Sequence, residues 1–483
     1  MTEQANLSEL IETKPAVNQL LRELPAMGKL LEDAAVEVLA KNYSFSQIKK
    51  AMQQVLATLR KQILLGEITD VRAVASVQVF RLVSKALEKE QRGELMPVIN
   101  GTGVILHTNL GRAVLAPECS DALMDITLNY SNLEYDLESG KRGFRGDHIE
   151  KLLTELTGAE AAHVVNNNAA AVMLVLNTFC KEREVVISRG ELVEVGGSFR
   201  IPEIMKQSQT KLCEVGATNR THLFDYEQAI NAETAAVIKV HTSNFHVVGF
   251  THQVPIQELK PLCEDKGIYL FNDLGSGLLC DMQRFGLPYE PTVKEALEQG
   301  SDLVMFSGDK LLGASQAGII LGKKSLVDKL KKNQLSRALR IDKLTLVALE
   351  QTLKLYLDEE EAVKRIPLLR MLGYETEELI GKAQRLQHNL EKLGLPFQIE
   401  IVDSEAKVGG GAYANATLPS KALQFTPQNS AEPKFDVIAL ERSLRLGKYP
   451  IIGRIQDQVY LLDMRTIAEE QFNIVVDACK NLL

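Results

Sequence analysis

Between residues 96 and 325, short apolar runs alternate with helical stretches. The runs are "AAHVVN", "EVVIS", "AAVIKVH", "GIYLFND", "DLVMFS" and "AGIILG"; between them lie stretches such as "NAAAVMLVLNTFCK", "PIQELKPLCEDKG" and "PTVKEALEQG". A strand buried on both faces reads as a continuous apolar run, and a helix between two such strands is the crossover that parallel neighbours need. The pattern therefore predicts an α/β core: a mostly parallel sheet with helices on both faces.

The flanking regions read differently. Residues 1–95 carry apolar positions at three- and four-residue spacing, with Ser46 a candidate N-cap and a long connecting helix through "VASVQVFRLVSKALEKEQR". After the core comes a helical connection, "IDKLTLVALEQTLKLYLDEEEAVKRIP". Residues 366–483 then mix helix and strand ("FQIEIVDSE", "VYLLDM"), as a smaller α/β domain does. The expected domains are thus 1–95, 96–365 and 366–483. A chain of 483 residues has room for two or three cores.

Composition narrows the class. No apolar run is long enough to span a membrane, and the opening "MTEQANLSELIETK" lacks the apolar segment of a secretory signal. Six scattered cysteines without a CxxC pair fit reduced thiols and a cytoplasmic location. A net charge of −8 argues against indiscriminate nucleic-acid binding. One stretch departs from this balance. From Val38 to Gly66 there is no Asp or Glu, while Lys41, Lys49, Lys50, Arg60 and Lys61 all fall there. Taken alone, this is either a solvated helix face or a polyanion-binding one.

Ligands of open α/β sheets bind beyond the carboxyl ends of the strands, and three features fall at such ends. The strand "AAHVV" runs into Asn166, Asn167 and Asn168 and a helix opening with alanines. Backbone N–H groups there can approach an anion, although an asparagine can equally be a plain helix cap. The strand "GIYLFND" ends at Asp273, before Leu-Gly-Ser-Gly, and "DLVMFS" leads to Lys310. Helix start, aspartate and lysine on successive strand ends fit a pyridoxal 5'-phosphate site. There the lysine forms a Schiff base, the carboxylate keeps the ring nitrogen protonated, and the helix start takes the phosphate.

Competing motifs fail on spacing. "GIILGKKS" has three residues between its glycines where a phosphate-binding loop of the Walker type needs four, and Lys324 stands where Ser or Thr should be. No GxGxxG follows a strand. His241, His246 and His252 match no metal-binding interval, so no metal is expected. Arg112, Arg337 and Arg340 can hold an oxyanion by bidentate contacts or form surface ion pairs.

Several longer motifs are specific. "INGTGVILHTNLGRAVL", "NLEYDLESGKRGFRGDHIEKLL", "SRGELVEVGGSFRIPEIM", "FNDLGSG", "FSGDKLLGASQAGIILG" and "LSRALRIDKLTLVALE" resemble the bacterial selenocysteine synthases, the L-seryl-tRNA(Sec) selenium transferases. The likeness extends from "LLRELPAMGKLL" to "PIIGRI". It implies a fold-type-I pyridoxal-phosphate transferase core with an N-terminal helical tRNA-binding domain and a small C-terminal α/β domain. Lys310 then corresponds to the Schiff-base lysine and Asp273 to the aspartate under the ring nitrogen. Arg112, Arg337 and Arg340 correspond to the arginines around selenophosphate. Asn167 and Asn168 fall in the cofactor-phosphate loop, and Ser243 or Asn244 meets the ring hydroxyl.

The implied reaction removes water from seryl-tRNA(Sec) through an aminoacrylyl-tRNA intermediate and adds selenium at the β-carbon. The resemblance also implies a homodecamer, a pentamer of dimers, and tRNA contacts by Lys41, Lys49, Lys50, Arg60 and Lys61. Two other readings compete: a pyridoxal-phosphate lyase or aminotransferase acting on a free small amino acid, and a non-catalytic RNA-binding scaffold on a dead enzyme fold.

Overall fold

The computed structural model describes residues 15–91, 93–195, 199–428 and 436–480. The opening residues 1–14, part of the argument about secretion, and residues 196–198 of one family motif lie outside these. The chain divides into two compact units, Met1–Pro97 and Val98–Leu483.

The first unit is helical. Its longest helix, α1 (Phe45–Leu64), buries Ile48, Met52, Leu56, Leu59 and Ile63, the three- and four-residue spacing that makes one apolar stripe. That stripe packs against Val79, Val83 and Leu87 of α2 (Ser76–Gln91). The cap of α1 is Ser44, not Ser46: its side chain accepts from the Gln47 N–H, and Gln47 reaches back to the Ser44 N–H. This reciprocal pair satisfies two amides that the first turn leaves without partners.

The second unit holds two sheets. In chain order we number β1 (Val104–Leu106), β2 (Ala161–Val165), β3 (Glu184–Ser188), β4 (Lys211–Val215), β5 (Thr234–Val240), β6 (Tyr269–Gly275), β7 (Leu303–Ser307), β8 (Gly318–Gly322), β9 (Phe397–Gly409), β10 (Ala412–Pro427), β11 (Arg454–Gln456) and β12 (Val459–Asp463). The large sheet has the order β2-β8-β7-β6-β5-β3-β4, with only β8 antiparallel to its neighbours. Residues of β7 and β8 are buried throughout, as continuous apolar runs require. Helix α3 (Asn168–Phe179) connects β2 to β3 and buries Ala171, Val172, Val175 and Leu176.

The smaller sheet has the order β11-β12-β10-β9-β1. Its edge strand β1 comes from the stretch ascribed on sequence to the core, and it pairs in parallel with β9 through Lys407↔Val104 and Gly409↔Leu106. The long helical connection is broken into Lys343–Leu355, Glu359–Arg365 and Pro367–Gly373. Asp358 caps the second piece, and Pro367, which has no N–H to donate, starts the third. Among the described residues no helix is long and apolar enough to cross a membrane. All six cysteines are free thiols.

Candidate active site

Strands β2, β5, β6 and β7 run in one direction, so their carboxyl ends open at one edge of the large sheet. Beyond β7 the chain turns through Gly308, Asp309 and Lys310. The Gly308 N–H donates to the Ala317 carbonyl at 2.9 Å, and the Gly308 carbonyl accepts from Ala314 N–H at 2.9 Å. Leu311 N–H donates to the Ser276 carbonyl at 3.0 Å. A Cβ on Gly308 would stand 2.5 Å from the Ser315 carbonyl oxygen. The small residues around the lysine thus let the loop fold back on itself and fix the lysine backbone from both sides.

Asp273 lies near the end of β6 and is 5% exposed. Its carboxylate accepts from the Asn168 side-chain amide at 2.9 Å, and its carbonyl accepts from His241 N–H at 2.9 Å. Two residues on, Gly275 has φ +65°, and a Cβ there would stand 3.8 Å from Lys310 Nζ. Burial pushes the Asp273 carboxyl up from its usual range, opposed by Asn168, by Lys310 and by the Gly275 backbone. Burial also holds Lys310 below the ordinary lysine value, with Asp273 opposing and Arg112 adding to the depression. The amine and carboxylate feel each other's charge, yet among the described residues no direct ion pair joins them.

The third strand end is β2. Asn166 N–H donates to the Leu339 carbonyl at 2.9 Å. Asn167 is the N-cap of α3: its side-chain oxygen accepts from Ala170 N–H at 2.9 Å. Asn168 turns its amide to Asp273 instead. β8 passes so close that a Cβ on Gly318 would lie 2.0 Å from the Asn167 carbonyl oxygen.

Arg112 joins this group. It sits at φ +62°, in the left-handed region unusual for a residue with a side chain, and pairs with Asp309 at 2.8 Å. The backbone of Arg340 bridges Val165 at the end of β2, and Arg337 lies on the short helix Leu335–Ala338 just before it. They line a cavity of about 270 Å³ together with Glu134, Arg142, Arg145 and Lys331. Glu134 accepts from Arg142, Arg145 and Arg340, and the Arg145 guanidinium in particular holds its carboxyl below the usual range. None of the described contacts of Arg337 or Arg340 reaches Lys310, Asp273 or Arg112. Ser243 donates to the Gly411 carbonyl, and Asn244 to the Glu194 carbonyl at 2.8 Å, so both side chains brace the loop after β5.

In the helical unit Lys41, Lys49, Lys50, Arg60 and Lys61 are all exposed. Lys50 pairs with Glu90 at 2.9 Å; the other four have no acidic partner among the described residues.

Two features escaped the sequence reading. Asp309, beside Lys310 in the chain, anchors Arg112. Glu290 lies 3.1 Å from His241 and receives the Ser276 hydroxyl at 3.4 Å, adding negative charge on the lysine's side. Nothing in "LPYEPTV" signals that position.

Pyridoxal phosphate fits these residues. A buried carboxylate at one strand end matches a cationic ring nitrogen, and an amine of lowered basicity on the neighbouring strand matches Schiff-base formation. The buried side-chain oxygen of Asn168 has no hydrogen-bond partner among the described residues, so the site holds an acceptor open to a ligand. Among the described residues no cluster of His, Cys, Asp or Glu is suited to a metal.

Fold and site together define a fold-type-I pyridoxal-phosphate enzyme. The solved structure of D-glucosaminate-6-phosphate ammonia-lyase shares the architecture, with a TM-score of 0.54 at 22% identity, covering 82% of this chain and 97% of that one. The family model of L-seryl-tRNA selenium transferase matches residues 98–468, and the chain belongs to that family. It is similar to L-seryl-tRNA(Sec) selenium transferases of Clostridium perfringens strain 13, 48% identical over 464 residues, and Clostridium botulinum strain 657, 46% identical over 465 residues. Each alignment spans 96% of this chain and 99% of the relative.

Proposed function

We propose that this protein converts L-seryl-tRNA(Sec) to L-selenocysteinyl-tRNA(Sec), with selenophosphate as selenium donor. The observation that carries the reading is the juxtaposition of Lys310 and buried Asp273 in a chain that matches seryl-tRNA selenium transferases over nearly its whole length. That match does not favour a lyase or aminotransferase for free amino acids.

Pyridoxal phosphate, when bound, supplies the electron sink that makes loss of the α-proton feasible. Lys310 holds the cofactor. Its amine, made less basic by burial, takes the proton from Cα of the seryl group. Lys310 returns a proton there after the hydroxyl has left as water and selenium has joined the β-carbon; the selenium–phosphorus bond of the donor is broken by water, and phosphate leaves. With the cofactor bound, Asp273 would supply negative charge for the ring nitrogen, and the first-turn amides of α3 would take the phosphate. Arg112, Arg337 and Arg340 hold the oxyanion of selenophosphate. Among the described contacts Arg337 and Arg340 do not reach Lys310, and we assign them to the site of a neighbouring subunit in a homodecamer built as a pentamer of dimers.

In the same reading residues 1–95 grip the tRNA, 96–365 form the catalytic core and 366–483 the small domain. Lys49 and Arg60, and likewise Lys50 and Lys61, lie three turns apart on α1, about 16 Å along one side of the helix. Phosphate contacts there make binding salt-dependent, and an RNA helix offers mainly its shape to such a surface. A tRNA substrate places the protein in the cytoplasm.

The test is conversion of purified seryl-tRNA(Sec) with selenophosphate, followed by analysis of the esterified amino acid. Selenocysteine formation that stops when residues 1–95 are deleted supports the reading. Turnover of free serine or another small amino acid with seryl-tRNA(Sec) untouched contradicts it.

A further inference from the structure

Asn168 sits at the first position of α3, beside the cap Asn167 that closes the helix on itself. Its side chain does something else: Nδ2 donates to Asp273 Oδ1 at 2.9 Å, across the gap between two strand ends. We propose that Asn168 is a positioning residue for Asp273, fixing the orientation of that carboxylate and favouring its ionised form so that the ring nitrogen of bound pyridoxal phosphate stays protonated. This rests on the roles given above to Lys310 and Asp273, and adds to them a residue that acts on the cofactor through another.

Three observations carry it. First, Asp273 is almost fully buried, and an ionised carboxylate in such a place needs donors. Burial favours its neutral form, and the Asn168 amide is the foremost group working the other way. Second, the amide lies within hydrogen-bond distance of Oδ1, and an N–H donated there stabilises the ionised carboxylate relative to the neutral one. Third, Oδ1 of Asn168 is buried and has no hydrogen-bond partner among the described residues, so the side chain is anchored through Nδ2 to Asp273. The close approach of Gly318 to the Asn167–Asn168 backbone fixes the position from which the amide reaches.

The experiment uses full-length protein, with Asn168→Ala, Asn168→Ser and Asp273→Asn beside the wild type. Cofactor affinity is measured by titrating apoprotein with pyridoxal phosphate, and the ring-nitrogen proton is followed by NMR of ¹⁵N-labelled cofactor across pH. For Asn168→Ala the affinity should fall about ten-fold, the cost of one hydrogen bond to a charged group. The ring nitrogen should lose its proton at lower pH than in the wild type. Asn168→Ser keeps a short donor and should lie between the two, which separates a missing hydrogen bond from a damaged helix start. Asn168→Ala with wild-type affinity and an unmoved ring-nitrogen titration overturns the proposal. If Asp273→Asn also leaves the titration unmoved, the assignment of Asp273 falls, and the role of Asn168 falls with it.

Discussion

Arg112 and Asp309 form an ion pair at 2.8 Å, and Asp309 is the residue immediately before Lys310. An arginine meant for an incoming anion is therefore already tied to the backbone segment that presents the lysine. Arg112→Ala leaves the buried Asp309 carboxylate without its partner, at a cost on the order of 2 kcal/mol, readable by urea denaturation. It also removes a cation that depresses the Lys310 amine, so the proton-accepting form is reached at higher pH. The acid limb of the pH–rate profile should move to higher pH, whereas an unmoved limb would mean that Arg112 does not act on the lysine.

Gly318 stands where even a methyl group has no room. Gly318→Ala places a Cβ 2.0 Å from the Asn167 carbonyl oxygen, a backbone atom at the start of α3. The expected result is a loss of about 3 kcal/mol in stability and reduced occupancy by pyridoxal phosphate, measured by denaturation and absorbance. Normal stability with full occupancy would show that the helix start shifts freely and is not a fixed phosphate site.

The sheet was legible because strands buried on both faces leave continuous apolar runs, as β2, β3, β5, β6, β7 and β8 do. Strand β4 escaped because "KLCEV" lies at the sheet edge, where only Val215 is fully buried and polar residues are tolerated. Ser44 was overlooked as the cap of α1 although its signal, a glutamine three residues on, is local. Lys310 and Asp273 stood out as polar residues at strand ends. The roles of Asp309, Glu290 and the Asn168 amide depend on contacts between distant segments, which spacing does not encode.

Arg337 is exposed and has no ion pair among the described residues, in the same cavity as Arg340. Arg337→Ala should cost little stability, within about 0.5 kcal/mol as for exposed positions. Selenium incorporation should fall far more than loss of the seryl hydroxyl, and single-turnover assays with and without selenophosphate separate the two. Equal damage to both steps would count against a role in holding the donor.

Lys382 is 2% exposed, donates to the Met464 carbonyl at 2.8 Å and lies 4.2 Å from the Tyr374 ring centre. Burial pushes its amine down from 10.5 to about 8. The folded state thus holds this proton less tightly than the unfolded chain does, and the resulting penalty is full below pH 8. It fades as pH rises from about 8 to 10.5. Lys382→Met removes a penalty on the order of 3 kcal/mol, less the lost bond to Met464. Chemical denaturation at pH 7 and pH 10 should show the variant losing ground to the wild type as pH rises. A constant difference would mean that the buried amine does not titrate in this window.

The account depends above all on a covalent bond between Lys310 and pyridoxal phosphate. The direct measurement is borohydride reduction of the holoprotein followed by mass spectrometry of its peptides, with Lys310→Ala alongside. The account predicts a phosphopyridoxyl group on Lys310 alone in the wild type, no labelled peptide in the variant, and tRNA binding nearly unchanged by the substitution. A label on another lysine, or one that persists in Lys310→Ala, would contradict it.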